Sequence, residues 1–210
     1  MKFFFAEFFG TALMVLFGTL SIVLSHQLAF VNDFVISLSF GFIVMVMIYI
    51  FRNISGAHIN PAVSLGFYLL KKLSSPLLFL YVFAQLLGGT FASFLISILF
   101  PNTIAFGETV PQVGIGEALF IEIFISMILM AAILWIANHK QWSKFTPPVV
   151  GIVVCILAYI FGPYTGASMN PARSFGPAIF SNTISVLYLY FIGPCLGTTI
   201  GCLAYKMITS

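Results

Sequence analysis

The tripeptide Asn-Pro-Ala occurs twice in the chain, as Asn60-Pro61-Ala62 and as Asn170-Pro171-Ala172. Asparagine is a favoured helix N-cap and proline is favoured at the first helical position, so each copy predicts the start of a helix. A capping asparagine keeps amide N–H donors that can reach a solute oxygen, and a helix N-terminus carries roughly half a positive charge. Two such ends facing each other would bind a water oxygen and repel cations.

The sequences around the two tripeptides are also similar. Residues 55–62 (SGAHINPA) match residues 165–172 (TGASMNPA) at an offset of 170 − 60 = 110. Near the start of each half a glutamate follows an apolar residue, Glu7 and Glu122, at a similar offset of 122 − 7 = 115. An internal repeat of this kind is evidence about the whole fold, not about one motif. It predicts two related halves, about residues 1–105 and 115–210.

Each half has room for three membrane spans. Because three is odd, the second half must enter the membrane from the opposite side, and the repeat is predicted to be inverted. About ten mostly apolar residues follow each tripeptide, too few to cross a hydrocarbon core of ~30 Å. We therefore expect two re-entrant half-helices whose N-termini meet inside the bilayer. Irregular backbone at that depth is tolerated only in protein or along a water-filled path, so the residues before each asparagine should line the pore.

Four ionisable residues lie close to these segments. Arg173 would be costly in lipid, so we expect it in a polar cavity as a pore-lining donor and cation barrier; the alternative is a salt bridge to Glu7 or Glu122. Glu7 and Glu122 are predicted to be structural carboxylates that accept backbone N–H groups of the re-entrant loops. His58 is interpreted as a pore-lining hydrogen-bonding residue, with a pH-sensitive gate as the alternative.

Composition places these motifs in a membrane protein. Of the 210 residues, 61% are hydrophobic and only 6% are charged, against about a quarter charged in soluble domains. The apolar runs have the length of membrane-spanning helices and lack the alternation of an outer-membrane barrel. We predict an all-α membrane protein forming a single channel domain over residues 1–210. The predicted spans are Phe3 to Leu24, Phe34 to Phe51, Leu77 to Phe100, Ala118 to Ala137, Pro148 to Phe161 and Ile184 to Ile208.

The basic residues predict the orientation. Those near the termini and in alternate loops are Lys2, Arg52, Lys71, Lys72, Lys140, Lys144 and Lys206. The opposite loops, around 25–33 and 101–116, contain Asp33 and Glu108 but no lysine or arginine. By the positive-inside rule both termini are cytoplasmic, in a plasma (inner) membrane. The basic residues behind the net charge of +3 lie near the termini and in alternate loops, which is the pattern of membrane topology. Nucleic acid is therefore not expected as a partner.

Catalytic and cofactor sites are not expected. The three cysteines, Cys155, Cys195 and Cys202, lie in apolar segments without the spacing of a metal site or a disulfide framework. No nucleophile–base pairing or phosphate-binding loop is visible. We therefore predict that the protein is not an enzyme and has no metal or cofactor.

The doubled tripeptide, its second copy extended as residues 170–177 (NPARSFGP), and residues 6–11 (AEFFGT) closely resemble the aquaporin, or major intrinsic protein, family. The resemblance covers the whole chain. It implies a homotetramer in the lipid bilayer with one pore in each protomer, and water and small neutral solutes as the permeating partners. It also implies a narrow selectivity filter near the extracellular mouth, formed here by Phe40, Ala158, Ala167 and Arg173.

The filter departs from the water-specific pattern, in which a histidine would stand at Ala158. A register shift of one residue would bring Tyr159 into that place and keep the opening narrow. Ser174 and the aromatic pair Tyr190-Phe191, by contrast, are similar to the water channels. We predict passive conduction of water, with ammonia, urea, hydrogen peroxide, metalloid acids or glycerol as further solutes. The alternatives are an aquaglyceroporin-like or metalloid, ammonia or urea channel and, from another class, an ion-coupled secondary transporter.

Overall fold

The computed structural model describes residues 1–209, and this part of the chain is all helical. Eight α-helices are joined by short loops and two 3-10 turns, at Ser143–Phe145 and Ile184–Val186. The helices are α1 (Lys2–Ser25), α2 (Asp33–Phe51), α3 (Pro61–Leu69), α4 (Ser75–Leu99), α5 (Ile115–Asn138), α6 (Thr146–Thr165), α7 (Pro171–Ser181) and α8 (Leu187–Thr209).

Six of these helices are long and apolar enough to cross a bilayer: α1, α2, α4, α5, α6 and α8. They correspond to the six predicted spans, so the all-α membrane fold is confirmed and the protein is a multi-pass integral membrane protein. The largest boundary difference is in α6, which we predicted to end at Phe161 and which continues through Pro163 to Thr165. Pro163 removes only one backbone hydrogen bond, so the helix continues through it. The helix ends where Gly166 adopts a left-handed conformation, φ 79°.

The two short helices, α3 and α7, each start at the proline of an Asn-Pro-Ala tripeptide. They are 9 and 11 residues long, too short to span the membrane. Helix α3 packs mainly on α8, while α7 packs mainly on α4. Each short helix therefore lies against a long helix from the other half of the chain, which fixes the two short helices relative to each other.

Glycines allow the closest of these helix contacts. A Cβ atom on Gly176 of α7 would overlap the backbone of Gly89 in α4, and one on Gly89 would overlap the carbonyl of Ala172. On α8, Gly193, Gly197 and Gly201 lie against α5 in the same way. Small residues let helices approach closely in lipid, where packing itself drives association. The central apolar cluster lies around the segments that precede α3 and α7.

Candidate functional site

The N-termini of α3 and α7 meet at two buried asparagines. The Asn60 side-chain oxygen accepts from the Ala62 N–H at 2.9 Å, and the Asn170 oxygen accepts from the Ala172 N–H at 3.0 Å. The amide nitrogens bond reciprocally: Asn60 Nδ2 donates to the Met169 carbonyl at 2.8 Å, and Asn170 Nδ2 donates to the Ile59 carbonyl at 2.9 Å. Each amide has two N–H groups. One amide hydrogen of each asparagine is therefore not used by these bonds.

The residues just before each asparagine have an unusual backbone. Ala57 and Ile59 have φ of 50° and 44°, and Ala167 and Met169 have φ of 40° and 53°. Non-glycine residues rarely adopt this left-handed region, and such conformations cost on the order of 1–3 kcal/mol each. Alternating left-handed residues keep these segments out of helix, so their carbonyls do not form a continuous intrahelical ladder. Residues 56–60 and 166–170 line one cavity.

Glu7 of α1 holds the first of these segments. Its carboxylate accepts from the Ser55 hydroxyl at 2.5 Å, from the His58 N–H at 3.0 Å and from the Ile59 N–H at 2.7 Å. Gln85 of α4 donates a fourth hydrogen bond, at 2.7 Å. The carboxylate is fully buried, and buried carboxylates are stable only when their acceptor positions are occupied.

Glu122 of α5 holds the second segment in the same way. It accepts from the Thr165 hydroxyl at 2.8 Å and from the backbone N–H groups of Ser168 and Met169, both at 2.9 Å. Both glutamates accept hydrogen bonds from backbone N–H groups of the re-entrant loops. Their hydrogen bonds hold the left-handed residues in place. The strained backbone is thus stabilised by side chains that are not part of the cavity lining.

Arg173, the residue after Ala172, is buried and lines the same cavity. Its Nη1 donates to the carbonyl of Gly107 at 2.5 Å, and its guanidinium carbon lies 4.6 Å from the centre of the Phe40 ring. The sequence left a salt bridge to Glu7 or Glu122 as an alternative. Arg173 is instead held by a neutral carbonyl and an aromatic face, so its positive charge is not cancelled by a bonded carboxylate.

His58 lines the cavity, two residues before the first asparagine in the chain. Its ring stacks on Phe67 at 4.5 Å and meets Tyr81 edge-on at 5.1 Å. Its Nδ1 lies 3.2 Å from the Ser64 hydroxyl. Three residues, Phe67, Tyr81 and Ser64, therefore contact the His58 ring.

The cavity has a volume of about 270 Å³, and both asparagines and Arg173 are in its lining. All four residues that the family resemblance assigned to a filter, Phe40, Ala158, Ala167 and Arg173, are in its lining. Tyr159 is not in the lining; it is 51% exposed and packs edge-on against Phe34 on the outer surface. The small side chain of Ala158 thus faces the cavity.

Two tyrosines and a glycine support this site in ways that were not predicted from the sequence. The Tyr81 hydroxyl donates to the Ser55 carbonyl at 2.6 Å, and the Tyr190 hydroxyl donates to the Thr165 carbonyl at 2.7 Å. These pairs keep the repeat offset, since 190 − 81 = 109 and 165 − 55 = 110. The offset itself was the signal that could have identified them. Gly107 has no repeat partner that would have indicated its role.

Comparison with known proteins gives consistent matches over the chain. The sequence profile of the family described as Major intrinsic protein matches residues 1–205. A probable NIP-type aquaporin from Nicotiana alata is 38% identical over 207 residues, covering 98% of this chain and 77% of the relative. Aquaporin AqpM from Methanothermobacter thermautotrophicus is 35% identical over 236 aligned positions, covering 98% of this chain and 96% of the relative.

A solved structure supports the fold. The X-ray structure of the aquaglyceroporin from Plasmodium falciparum superimposes with a TM-score of 0.91 at 24% sequence identity, covering 99% of this chain and 96% of that chain. The reciprocal asparagines, the two glutamate-held loops and the profile match over nearly the whole sequence point to one conclusion. The chain belongs to the major intrinsic protein family.

Proposed function

We propose that this protein is a passive membrane channel that conducts water and small neutral solutes and excludes protons and ions. The observation that carries the proposal is the cavity that passes two reciprocally bonded asparagines, Asn60 and Asn170, at the facing ends of two short helices. Members of the family are channels, not enzymes. No catalytic, metal or cofactor chemistry is assigned to the site.

Cation exclusion follows from the helix ends. Each N-terminus contributes roughly half a positive charge, so a cation at the cavity centre meets two repulsive dipoles. In aquaporin-type pores such half-helix dipoles and an arginine form the electrostatic barrier to protons and cations. Arg173, which has no bonded carboxylate, adds a full charge at one end of the same path.

Proton exclusion is proposed to depend on the free amide hydrogens of Asn60 and Asn170. A water molecule whose oxygen accepts from both amides has no lone pair left to accept a proton from its neighbour. Its hydrogens are then directed away from the asparagines along the pore. A continuous chain of proton-relaying waters is interrupted at that point, while the water molecules themselves still pass.

We further propose that Phe40, Ala158, Ala167 and Arg173 form the selectivity filter. Two alanines leave more room and less hydrogen-bonding surface than a histidine at position 158 would. This composition favours solutes larger than water, in addition to water. Urea, ammonia, hydrogen peroxide, glycerol and metalloid acids are neutral solutes of that class. The aquaglyceroporin-like alternative rests on this one observation, the alanine at position 158.

For assembly and topology we propose a homotetramer in a plasma (inner) membrane, with one pore in each protomer. The excess of lysine and arginine on one side supports cytoplasmic termini. We also propose that residues 1–210 form a single channel domain with inverted repeats at about 1–105 and 115–210. The matching bonds of Glu7 and Glu122 to their loops support the repeat.

Stopped-flow light scattering of proteoliposomes tests the proposal. We expect faster osmotic shrinkage than in empty vesicles made from the same lipids, with no change when a proton or sodium gradient is imposed. Water permeability equal to that of empty vesicles would refute the channel assignment. Solute uptake that requires an ion gradient would instead support a coupled transporter.

A further inference from the structure

The Phe40 ring is held between a glycine of α1 and the Arg173 guanidinium. A Cβ atom added to Gly18 would overlap the ring, with the Phe40 Cδ1 and Cζ atoms 2.6 and 2.8 Å away. The Arg173 guanidinium carbon lies over the same ring, 4.6 Å from its centre. Phe40 is only 7% exposed. The ring therefore reaches its position only because residue 18 has no side chain.

The next residue of α1, Thr19, supports the partner of Arg173. A Cβ atom on Gly107 would lie 2.6 Å from Thr19 Cβ and 2.8 Å from its Cγ2, so the Gly107 turn rests directly on the threonine. The Thr19 hydroxyl donates to the Val15 carbonyl of its own helix at 2.6 Å. Gly107 has φ of 72°, and its carbonyl accepts the Arg173 hydrogen bond.

These contacts connect five residues in a series that begins and ends in α1. Gly18 contacts Phe40, Phe40 lies under Arg173, Arg173 bonds to Gly107, and Gly107 rests on Thr19. Gly18 and Thr19 are adjacent in α1, are buried, and are not part of the cavity lining. Two neighbouring residues outside the pore thus determine where two pore-lining side chains lie.

We propose that Gly18 and Thr19 are positioning residues that set the aperture of the filter, and with it the largest neutral solute that passes. The proposal rests on the proposed role of Phe40 and Arg173 as filter residues. Gly18 sets how far the Phe40 ring withdraws from the pore. Thr19 sets the position of the Gly107 carbonyl, and this carbonyl in turn orients the Arg173 side chain.

The two positions have opposite expected effects. In Gly18→Ala the new methyl meets atoms of the Phe40 ring, a side chain that can move, and not backbone atoms. The ring is displaced into the cavity that it lines, which narrows the opening. Glycerol and urea permeability should fall by about fivefold or more relative to water, the factor produced by a barrier change near 1 kcal/mol. In Thr19→Ser the Cγ2 methyl, one of the atoms on which Gly107 rests, is removed while the Cβ atom and the hydroxyl are kept. Arg173 then gains freedom, and the solute-to-water ratio should rise.

The experiment measures water, glycerol and urea permeability of proteoliposomes containing each variant at equal protein content. Phe40→Leu serves as the reference for a direct change in the filter, because it replaces the ring by a smaller aliphatic side chain. Gly116→Ala is the matched control: it makes the same glycine substitution in α5, at a position where an added Cβ has no neighbouring atom within 4 Å. It should leave all three permeabilities unchanged.

The outcomes separate this proposal from the proposed function. If Phe40→Leu changes the solute-to-water ratio while Gly18→Ala and Thr19→Ser do not, the positioning role is overturned and the filter stands. If Phe40→Leu also has no effect, both assignments are overturned. Opposite shifts in the two α1 variants support the proposal. If Gly18→Ala does not yield folded protein, the direction of the Thr19→Ser shift decides.

Discussion

The structural role assigned to Glu122 gives the sharpest test of how the pore backbone is held. In Glu122→Ala the N–H groups of Ser168 and Met169 lose their acceptor in a fully buried place. An unsatisfied buried donor costs about 1–3 kcal/mol, so the two together cost roughly 2–6 kcal/mol. In Glu122→Gln one oxygen remains as acceptor and the new NH₂ faces a donor, so the expected loss is about 1–3 kcal/mol.

The loss should appear in two measurements. Thermal unfolding in detergent should show decreasing stability in the order wild type, Glu122→Gln, Glu122→Ala. Water permeability should fall in parallel, because Ala167 and Met169 are no longer held in their left-handed conformations. Glu117→Gln is the matched control, since Glu117 is an exposed glutamate five residues earlier on the same helix. Its effect should stay within about 0.5 kcal/mol.

If Glu122→Gln unfolds at the same temperature as Glu117→Gln and conducts water at the wild-type rate, the carboxylate does not support the loop. The left-handed conformations would then be fixed by packing alone.

Three further predictions concern the filter, the loop support and the helix packing. Ala158→His should reduce glycerol and urea flux while water flux is kept; unchanged solute flux would show that this position is outside the filter. Tyr190→Phe should lose about 0.5–1.5 kcal/mol of stability with its hydrogen bond to a loop carbonyl. The same change at Tyr188, which is 51% exposed, should have little effect in the same unfolding assay. Gly176→Ala should yield little folded protein by size-exclusion chromatography, because its methyl meets backbone of α4, whereas Gly116→Ala should elute normally.

Much of the pore was predictable because its signals are local. A capping asparagine followed by proline specifies a helix start within three residues, and this predicted both α3 and α7 correctly. The length and apolarity of each segment gave the six spans. The repeat offset then identified the two tripeptides as equivalent positions of the two halves, without any structural information. It also identified Glu7 and Glu122 as equivalent residues.

The sequence did not decide which face of each helix points into the cavity. One residue along an α-helix rotates the side chain by about 100°, so Ala158 and Tyr159 face different surroundings, and only packing shows which one lines the pore. The partner of Arg173 was likewise undecided, because the Gly107 carbonyl is 66 residues away in a loop without a motif.

The membrane class, the helix starts and the meeting of two asparagines follow from the amino-acid sequence, because these depend on composition, length and neighbouring residues. The way Phe40 and Arg173 are held is visible only in the folded protein, because it depends on contacts among α1, α2, α7 and a loop. Such contacts join residues distant in the chain through shape and hydrogen bonding, and no local pattern records them.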